Sequence, residues 1–407
     1  MDVDASRGPL RYLQNVPDPR AANISHPLPS LLAITLMAVI CGEDDYQGVV
    51  EWADVREDWL STFLDLPHGV PSPDTLERVL ARLNPDALEA AFIAFTRGVA
   101  ERSKGRLVAV DGKTLRRSFD HGGRKAAIHM VNAWDQANGL VLGQLAVDEK
   151  SNEIKAVPRL LALLDLKGCV VSLDAMHCQK DTASKILEAK ADYLLAVKQN
   201  HKSLHEDVKL FFEEAIDPQA AGDDEGQPMP GLLTLDTPSV DGDHGRLEVR
   251  RLWASHEVGW LKKQGHDWPA LRGLVCVEGE RLDFATGKTT VTRRGFITSL
   301  DPRKVGPERL LEAVRGHWSI ENRLHWSLDV SFREDDSRVR RKNAAQNLAR
   351  IRRLAMNLVR HLPAGTTKTG RPRKISLRLK RKRCGWVVGE LMQALCQPIK
   401  QPEGHMR

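Results

Sequence analysis

The sequence predicts an α/β protein in which a small helical domain precedes a mixed sheet covered by helices. Three observations support this fold class. Residues 1–100 carry apolar side chains at helical spacing, residues 107–147 form short apolar runs separated by turns, and residues 156–216 alternate helices with strands. Three meandering strands followed by crossover helices are typical of a mixed sheet.

The first hundred residues contain recognisable helix starts and faces. Leu32, Leu36 and Val39 fit one face of a buried helix. Residues 71–74 then form a turn and N-cap ahead of a helix with apolar side chains at helical spacing. Residues 84–86 begin the next helix, so this part is predicted to be entirely helical.

The pattern changes at Arg106, where strands begin. Asn138 and Gly139 separate two apolar runs and predict a hairpin. The predicted elements after Arg106 are strands at 107–112, 128–134 and 140–147, a helix around 156–164, a strand at 169–173, a helix at 182–190, a strand at 193–198 and a helix at 204–216.

The C-terminal half has a less regular pattern. Residues 217–235 are rich in Gly, Pro and Asp and predict a loop, and residues 246–300 look β-rich. Helical periodicity returns at Pro307 and again through residues 343–361.

Charge is distributed unevenly along the 407 residues, whose net charge is +6. Residues 333–383 hold 18 Lys or Arg against 3 Asp or Glu, and the rest of the chain is acidic. A strongly basic end indicates a polyanionic partner.

The sequence does not favour a membrane-spanning protein or a disulfide-rich secreted protein. The most apolar stretch, residues 31–41, is shorter than the ~20 residues that a membrane span needs. The six cysteines form no CxxC pair, which predicts reduced thiols and a cytoplasmic protein.

Two acids end predicted strands of the sheet. Asp111 closes the run LVAVD, and Asp174 closes VVSLD. Either acid alone fits a turn residue equally well. Two of them at strand ends of one sheet favour a ligand site, because open α/β sheets bind ligands at that edge.

A third acid is expected in the segment RGHWSIENRLHW. Glu321 shares a predicted helix face with Trp318 and Leu324, and an acid on an apolar face needs a partner. A divalent cation shared with Asp111 and Asp174 would supply one, and carboxylates suit Mg²⁺ or Mn²⁺. Asp329, eight residues later, is a weaker candidate for the third acid.

Five motifs in order resemble a known family. They are VAVDGKTLRRS (108–118), SLDAMHCQKDTA (172–183), YLLAVKQNH (193–201), HGRLEVR (244–250) and HWSIENRLHWSLDVSFREDDSRVR (317–340). The chain resembles the DDE transposases of bacterial insertion sequences, in the branch of the H-repeat-associated proteins. Residues 18–46 and 68–80 resemble that branch's associated N-terminal domain, so the resemblance covers roughly residues 10 to 363.

This resemblance implies a domain plan. Residues 1–100 would be a helical N-terminal domain for recognition of DNA ends. Residues 101–363 would be a ribonuclease H-like catalytic domain with a β-rich insertion at about 217–305, and residues 364–407 a basic C-terminal extension.

The resemblance also implies the catalytic acids. Asp111, Asp174 and Glu321 would hold two Mg²⁺ or Mn²⁺ ions for cleavage of DNA and strand transfer. The chain departs from a signature that many such transposases carry around the third acid: Val314, His317 and Leu328 stand where that signature has Tyr, Arg and Lys.

Several side chains are candidates for contact with DNA. They are Lys113, His317, Asn322, His325, Arg338, Arg340, Arg341, Arg371, Arg373 and Lys374. A zinc site on His317, Glu321 and His325 is not favoured, because the HExxH order is missing. Trp318 and Trp326 are predicted to pack in the core.

The expected function is that of a transposase acting on double-stranded DNA, both transposon ends and target. Such a protein would be cytoplasmic, nucleoid-associated and oligomeric in a synaptic complex. Two alternatives stay open: a catalytically silent or domesticated DNA-binding relic, and a sequence-independent nuclease.

Overall fold

The computed structural model describes residues 8–21, 24–100, 105–119, 126–147, 153–216, 231–243, 245–367, 369–371 and 373–396. The chain divides into two compact units. The first unit contains Met1–Arg102, Gly112–Ala156 and Ile320–Arg407, and the second contains Ser103–Asp111 and Val157–Ser319. Each unit is therefore assembled from separated stretches of sequence.

The helices lie close to where the periodicity predicts them. In chain order they are α1 (Pro9–Leu13), α2 (Leu28–Cys41), α3 (Tyr46–Asp54), α4 (Glu57–Leu60), α5 (Pro73–Arg82), α6 (Pro85–Val99), α7 (Glu153–Leu163), α8 (Lys180–Glu188), α9 (Lys202–Ile216), α10 (Gly259–Lys263), α11 (Pro302–Val305), α12 (Pro307–His317), α13 (Trp326–Phe332), α14 (Ala344–Arg360), α15 (Leu377–Trp386) and α16 (Val388–Cys396). A π-helical segment, Ile320–His325, precedes α13.

The strands confirm the predicted order of strand, strand, strand, helix, strand, helix, strand, helix. They are β1 (Leu107–Thr114), β2 (His129–Asp135), β3 (Leu140–Val147), β4 (Val170–Leu173), β5 (Asp192–Val197), β6 (Leu232–Thr234), β7 (Ser239–Asp243), β8 (Arg246–Ser255), β9 (Gly273–Asp283) and β10 (Thr289–Thr298).

The sheet of the second unit is mixed, as predicted. Its strands follow the order β1-β4-β5-β10-β9-β8-β6, and β7 also pairs with β8. β4 is parallel to both β1 and β5, and β5 is antiparallel to β10. The crossover helices α7 and α8 explain the parallel pairs, because parallel neighbours need a long connection.

The β-rich residues after β5 form strands of the same sheet. Strand β10 pairs with β5 from Gly295↔Val197 to Thr298↔Leu194, so these strands extend the sheet. Burial of Phe296 and Ile297 explains why that end of β10 joins the core. The predicted loop at 217–235 lies outside the described residues up to residue 230, and its remainder contains β6.

Helix α12 covers the sheet of the second unit. Leu310, Leu311 and Val314 pack in one cluster with strand side chains such as Val170 and Leu194. This packing fixes the helix that leads to the predicted third acid.

The first unit is built around α2, which is buried on nearly all sides as predicted. Helix α14 packs on it and carries buried arginines that are paired with buried acids. Arg350 contacts Glu89 at 2.9 Å, and Arg353 contacts Glu334 at 2.7 Å. Among the described residues no helix is both long and apolar enough to cross a membrane.

The predicted hairpin joins β2 and β3 in the first unit. Asp135 closes β2, and the Asn138 amide donates to its carboxylate at 2.6 Å. Gly139 follows at φ 62°, a left-handed conformation that favours glycine.

Residues 364–407, predicted to be a basic C-terminal extension, include the helices α15 and α16. Helix α15 packs on α2 in the first unit. The Arg381 guanidinium is buried, donates to the Val39 carbonyl at 2.8 Å and lies over the Phe332 ring at 4.2 Å. Some of this positive charge therefore stabilises the fold; residues 397–407 lie outside the described part of the chain.

Candidate functional site

Asp111 and Asp174 lie beside each other on neighbouring strand segments in the second unit. Asp111 lies within β1, which continues to Thr114 rather than ending at residue 112 as predicted, and Asp174 directly follows β4. The parallel register of β1 and β4 runs from Leu107↔Val170 to Val110↔Leu173, and each acid is the next residue of its strand. Neighbouring strands are about 4.8 Å apart, so the two acids occupy adjacent positions at one edge of the sheet. The predicted juxtaposition of these two acids is therefore present.

Buried neighbours hold both strand ends in place. Val108, Val110 and Val171 are 0% exposed and Leu173 is 2% exposed. Beyond β4 the chain turns directly into a short 3₁₀ helix, for which Asp174 is the N-cap residue. The acids thus leave the sheet from rigid backbone, as a catalytic constellation requires.

Lys198 binds Asp174 at this edge. Its ammonium Nζ lies 2.9 Å from Asp174 Oδ1, and both side chains are about half exposed. Burial raises the pKa of Asp174, but the hydrogen bonds from Lys198 and the Ala175 backbone, together with the Lys198 charge, outweigh it and lower the pKa. Asp174 is therefore ionised at neutral pH.

The loop that follows β5 lines the same edge. The Asn200 side-chain amide donates to the Ala175 carbonyl at 2.7 Å. This hydrogen bond joins the segment after Lys198 to the short 3₁₀ helix after Asp174. It therefore helps to keep Lys198 close to Asp174.

His317, the last residue of α12, binds the strand that carries Asp174. Its Nδ1 lies 3.0 Å from the Ser172 hydroxyl of β4. Burial lowers the pKa of His317 to about 4, against the opposing charge of Asp174. The ring is neutral at pH 7, so His317 does not offer a positive charge to a phosphate.

Gly112, the residue after Asp111, is closely surrounded in the first unit. A Cβ at this position would lie 2.6 Å from Glu153 Oε1 and closer still to His129 Nε2. His129 Nε2 in turn contacts the Glu153 carboxylate, and its Nδ1 lies 2.8 Å from the Thr114 hydroxyl. This strand end therefore needs glycine because a side chain would overlap a buried His–Glu pair.

Lys113 is buried and held by acids rather than presented to solvent. Its Nζ lies 2.6 Å from Asp329 Oδ1 and 3.3 Å from Asp335 Oδ1, and the Lys113 side chain is 7% exposed. Its positive charge is neutralised within the first unit, which removes the reason for predicting a phosphate contact.

Glu321 is exposed, so the predicted apolar environment of this acid is wrong. It lies in the π-helical segment, where Ile320 and Leu324 are 0% exposed and Glu321 faces solvent. A π-helix has more residues per turn than the 3.6 assumed from the sequence, which changes which residues share a face.

Asp329 is the more buried of the two candidate third acids. Burial raises the pKa of Asp329, and the hydrogen bond and charge of Lys113 oppose that effect. The argument that burial selects Glu321 therefore fails, and the case for Glu321 rests on the family resemblance.

Trp318 and Trp326 are not core residues, which corrects a second expectation. They are 43% and 59% exposed, respectively. The Arg294 guanidinium lies over the Trp318 ring at 4.7 Å in the second unit.

Some of the predicted DNA-contact residues are exposed, and others are bound to neighbouring groups of the protein or buried. Asn322, Arg338, Arg341, Arg371, Arg373 and Lys374 are exposed. Arg340 is half-buried, donates to the Arg117 carbonyl at 2.9 Å and stacks on Phe119. Burial lowers the pKa of His325 to about 3, so this ring is neutral.

The two neighbouring acids, Asp111 and Asp174, fit a hard divalent cation, which prefers carboxylate oxygens. In the described part of the chain, no group of three or more His, Cys, Asp or Glu side chains could hold a metal ion. Asp111 and Asp174 are two carboxylates, one fewer than such a group requires.

Two family models match the chain in succession. The model described as DDE_Tnp_1-associated matches residues 10–96, and the model described as transposase DDE domain matches residues 102–358.

Similar proteins support the same family. "Putative transposase YncI" of Escherichia coli O157:H7 is 40% identical over 86% of this chain and 87% of its own length. "H repeat-associated putative transposase YhhI" of Escherichia coli strain K12 is 34% identical over 86% of this chain and 89% of its own length.

Among solved structures, a piggyBac transposase synaptic complex with hairpin DNA aligns with a TM-score of 0.35 and 12% sequence identity. The alignment covers 94% of this chain and 74% of the piggyBac chain. A similarity this low supports no statement about the fold.

Proposed function

Since the chain belongs to the transposase DDE domain family, we propose that it is an insertion-sequence transposase that cleaves transposon ends and joins them to target DNA. The observation that carries this proposal is the β1–β4 register, which sets Asp111 and Asp174 side by side. Paired carboxylates at the edge of a sheet are the arrangement that metal-dependent phosphodiester cleavage needs.

The acid set of the proposal is Asp111, Asp174 and Glu321. These residues would hold two Mg²⁺ or Mn²⁺ ions, which when bound activate the attacking oxygen and stabilise the leaving one. Asp174 contributes an ionised carboxylate, because Lys198 and the Ala175 amide lower its pKa. Glu321 contributes an exposed carboxylate that a ligand can reach without unfolding of the core.

The DNA partner is supported by exposed positive charge. Arg338, Arg341, Arg371, Arg373 and Lys374 are exposed arginines and lysines of the C-terminal part. Such side chains bind phosphates and release counterions, which gives affinity without sequence preference. Recognition of the transposon ends is assigned to the helical residues 1–100.

The working form of the proposed enzyme is an oligomer on DNA. A synaptic complex brings two transposon ends together, and the protein would act in the cytoplasm, associated with the nucleoid. A ribonuclease H-like catalytic domain at residues 101–363 is part of the same proposal.

The test is cleavage of duplex DNA that carries the inverted repeats flanking the gene, with Mg²⁺ supplied. The wild-type chain should cut the correct end and leave a scrambled end intact, which separates a transposase from a sequence-independent nuclease. Asp174→Asn should abolish cleavage while DNA binding persists.

Asp181→Asn is the matched control, since Asp181 is an exposed acid of the nearby helix α8. Equal cleavage by the Asp174 and Asp181 variants would contradict the proposal. Binding of the ends by the wild-type chain without cleavage would instead support a catalytically silent relic.

A further inference from the structure

A network of charges centred on the buried Lys113 joins the end of β1 to the segment after Glu321 within the first unit. Lys113 of β1 contacts Asp329 of α13 at 2.6 Å and Asp335 at 3.3 Å. The second oxygen of Asp335 lies 3.2 Å from Arg116, whose side chain is 77% exposed. The network therefore has a buried centre at Lys113 and an exposed outer member at Arg116.

A second buried pair fixes the same segment from the other side. Glu334, next to Asp335, accepts from Arg353 of α14 at 2.7 Å, and Arg353 also donates to the Asn132 side chain of β2 at 2.6 Å. Helix α13 and the turn after it are thus held on β1 and on β2. Because α13 starts directly after His325, these contacts also fix the exit of the π-helical segment.

We propose that Lys113 and Asp329 form a positioning pair for the catalytic reaction. The pair holds α13 on the end of β1, two residues after Asp111, and so sets the orientation of the helical segment that carries Glu321. This inference rests on the proposed function, because it assigns the pair a role in the alignment of catalytic acids.

The contacts favour positioning over direct catalysis for both residues. One carboxylate oxygen of Asp329 binds the Lys113 ammonium, and the Lys113 side chain is only 7% exposed. Glu321 lies in the π-helical segment and is exposed, whereas Asp329 lies in α13 and is partly buried beside Lys113.

The two side chains should act as one unit. Removal of one partner of an ion pair leaves the other charge unpaired, whereas removal of both partners leaves no unpaired charge. Misplacement of a catalytic group by about 1 Å can lower a rate by ~10²-fold. Single neutralisations of the pair should therefore impair cleavage without a matching loss of DNA binding.

The experiment is a double-mutant cycle on the full chain with Lys113→Met and Asp329→Asn. Single-turnover cleavage rate, affinity for end DNA and thermal unfolding are measured for each variant. Each single substitution should lower the rate about 10- to 100-fold with DNA affinity within about twofold, and the double variant should be no slower than the slower single variant.

Two further variants separate positioning from simple loss of structure. Lys113→Arg keeps the charge and should recover most of the rate. Arg116→Met removes the exposed member of the network and should leave the rate within about twofold. If Lys113→Met unfolds at the assay temperature, Asp329→Glu replaces it and should lower the rate at unchanged DNA affinity.

Multiplicative effects of Lys113→Met and Asp329→Asn would overturn the inference, since they would mean separate roles such as phosphate contact and metal ligation. A wild-type rate in Asp329→Asn or Asp329→Glu would overturn it as well. If the wild-type chain itself fails to cleave any end, the proposed function is what fails, and that result is distinct from either of these.

Discussion

Asp111 and Asp174 occupy matching positions, each one residue beyond the register pair Val110–Leu173 of two parallel strands. Backbone pairing of β1 with β4 and buried neighbours such as Val110 and Leu173 set this relationship. Substitution of either acid should therefore leave the β1–β4 register in place, so the role of each carboxylate in cleavage can be tested separately from the fold.

Gly112→Ala should disturb this edge through packing. The added methyl group would overlap the buried pair of His129 and Glu153, and overpacking of this kind costs about 1–3 kcal/mol. We expect a lower urea midpoint together with reduced cleavage. Gly242→Ala is the control, because a Cβ there meets nothing within 4 Å. Equal midpoints for the two variants would show that the strand end is not tightly packed.

Lys198→Met should change the metal dependence of cleavage. The Lys198 ammonium binds one Asp174 carboxylate oxygen at 2.9 Å and would compete with a metal ion for this carboxylate; both side chains are about half exposed. Without this competitor, half-maximal cleavage should need a several-fold lower Mg²⁺ concentration. Titration of cleavage with Mg²⁺ checks this, with Lys185→Met as a control lysine that pairs with the exposed Glu188. An increased Mg²⁺ requirement would mean that Lys198 assists the site rather than competes in it.

His317 should make stability depend on pH in the acidic range. Its pKa in the folded protein is about 4, below the ordinary value of 6.5, so the unfolded chain binds more protons between these values. The free energy of unfolding should therefore fall as pH drops from 6.5 to 4, by up to about 3 kcal/mol from this group.

Urea unfolding of wild type and His317→Gln across that pH range checks the sign. The variant loses this titration and should show a flatter pH profile. A steeper profile in the variant would contradict the assignment of a buried, neutral ring bound to Ser172.

Exposed basic residues of the C-terminal part should set the salt dependence of DNA binding. Joint substitution of Arg371, Arg373 and Lys374 by Gln should lower the slope of log affinity against log salt by up to about 3, because each lost phosphate contact contributes ~0.9. Point substitutions are preferable to a deletion of residues 364–407, because the deletion would also remove the buried Arg381.

A matched triple neutralisation at Lys262, Lys263 and Lys304, which are exposed on α10 and α11, should leave that slope unchanged. Identical slopes for the two triple variants and the wild type would mean that the C-terminal charges do not contact DNA.

Local signals predicted the part of the fold that positions the two aspartates. Apolar runs, the Asn138–Gly139 turn and helical periodicity are all encoded within a few residues, so the order of β1 to β5 and their helices could be read directly. The mixed character of the sheet followed from three meandering strands and the crossover helices after them.

Long-range pairing and a change of helix type were not predictable in this way. Lys113 and Asp335 are 222 residues apart, and no spacing in the sequence signals their contact. The π-helical segment shifts Glu321 to the surface because the expected face assumed α-helical periodicity. Composition does not distinguish Arg381 from the other basic residues of 364–407, whereas tertiary hydrogen bonds to the Val39 carbonyl bury it.

The measurement that tests the account most directly is Mg²⁺-dependent end cleavage by Glu321→Gln beside Glu312→Gln. Both glutamates are exposed in the helical region that leads into α13, and the amide keeps the shape while it removes the charge that binds metal. The account predicts no cleavage by Glu321→Gln at unchanged DNA affinity, wild-type cleavage by Glu312→Gln and partial loss in Asp329→Asn. Full activity of Glu321→Gln would contradict it.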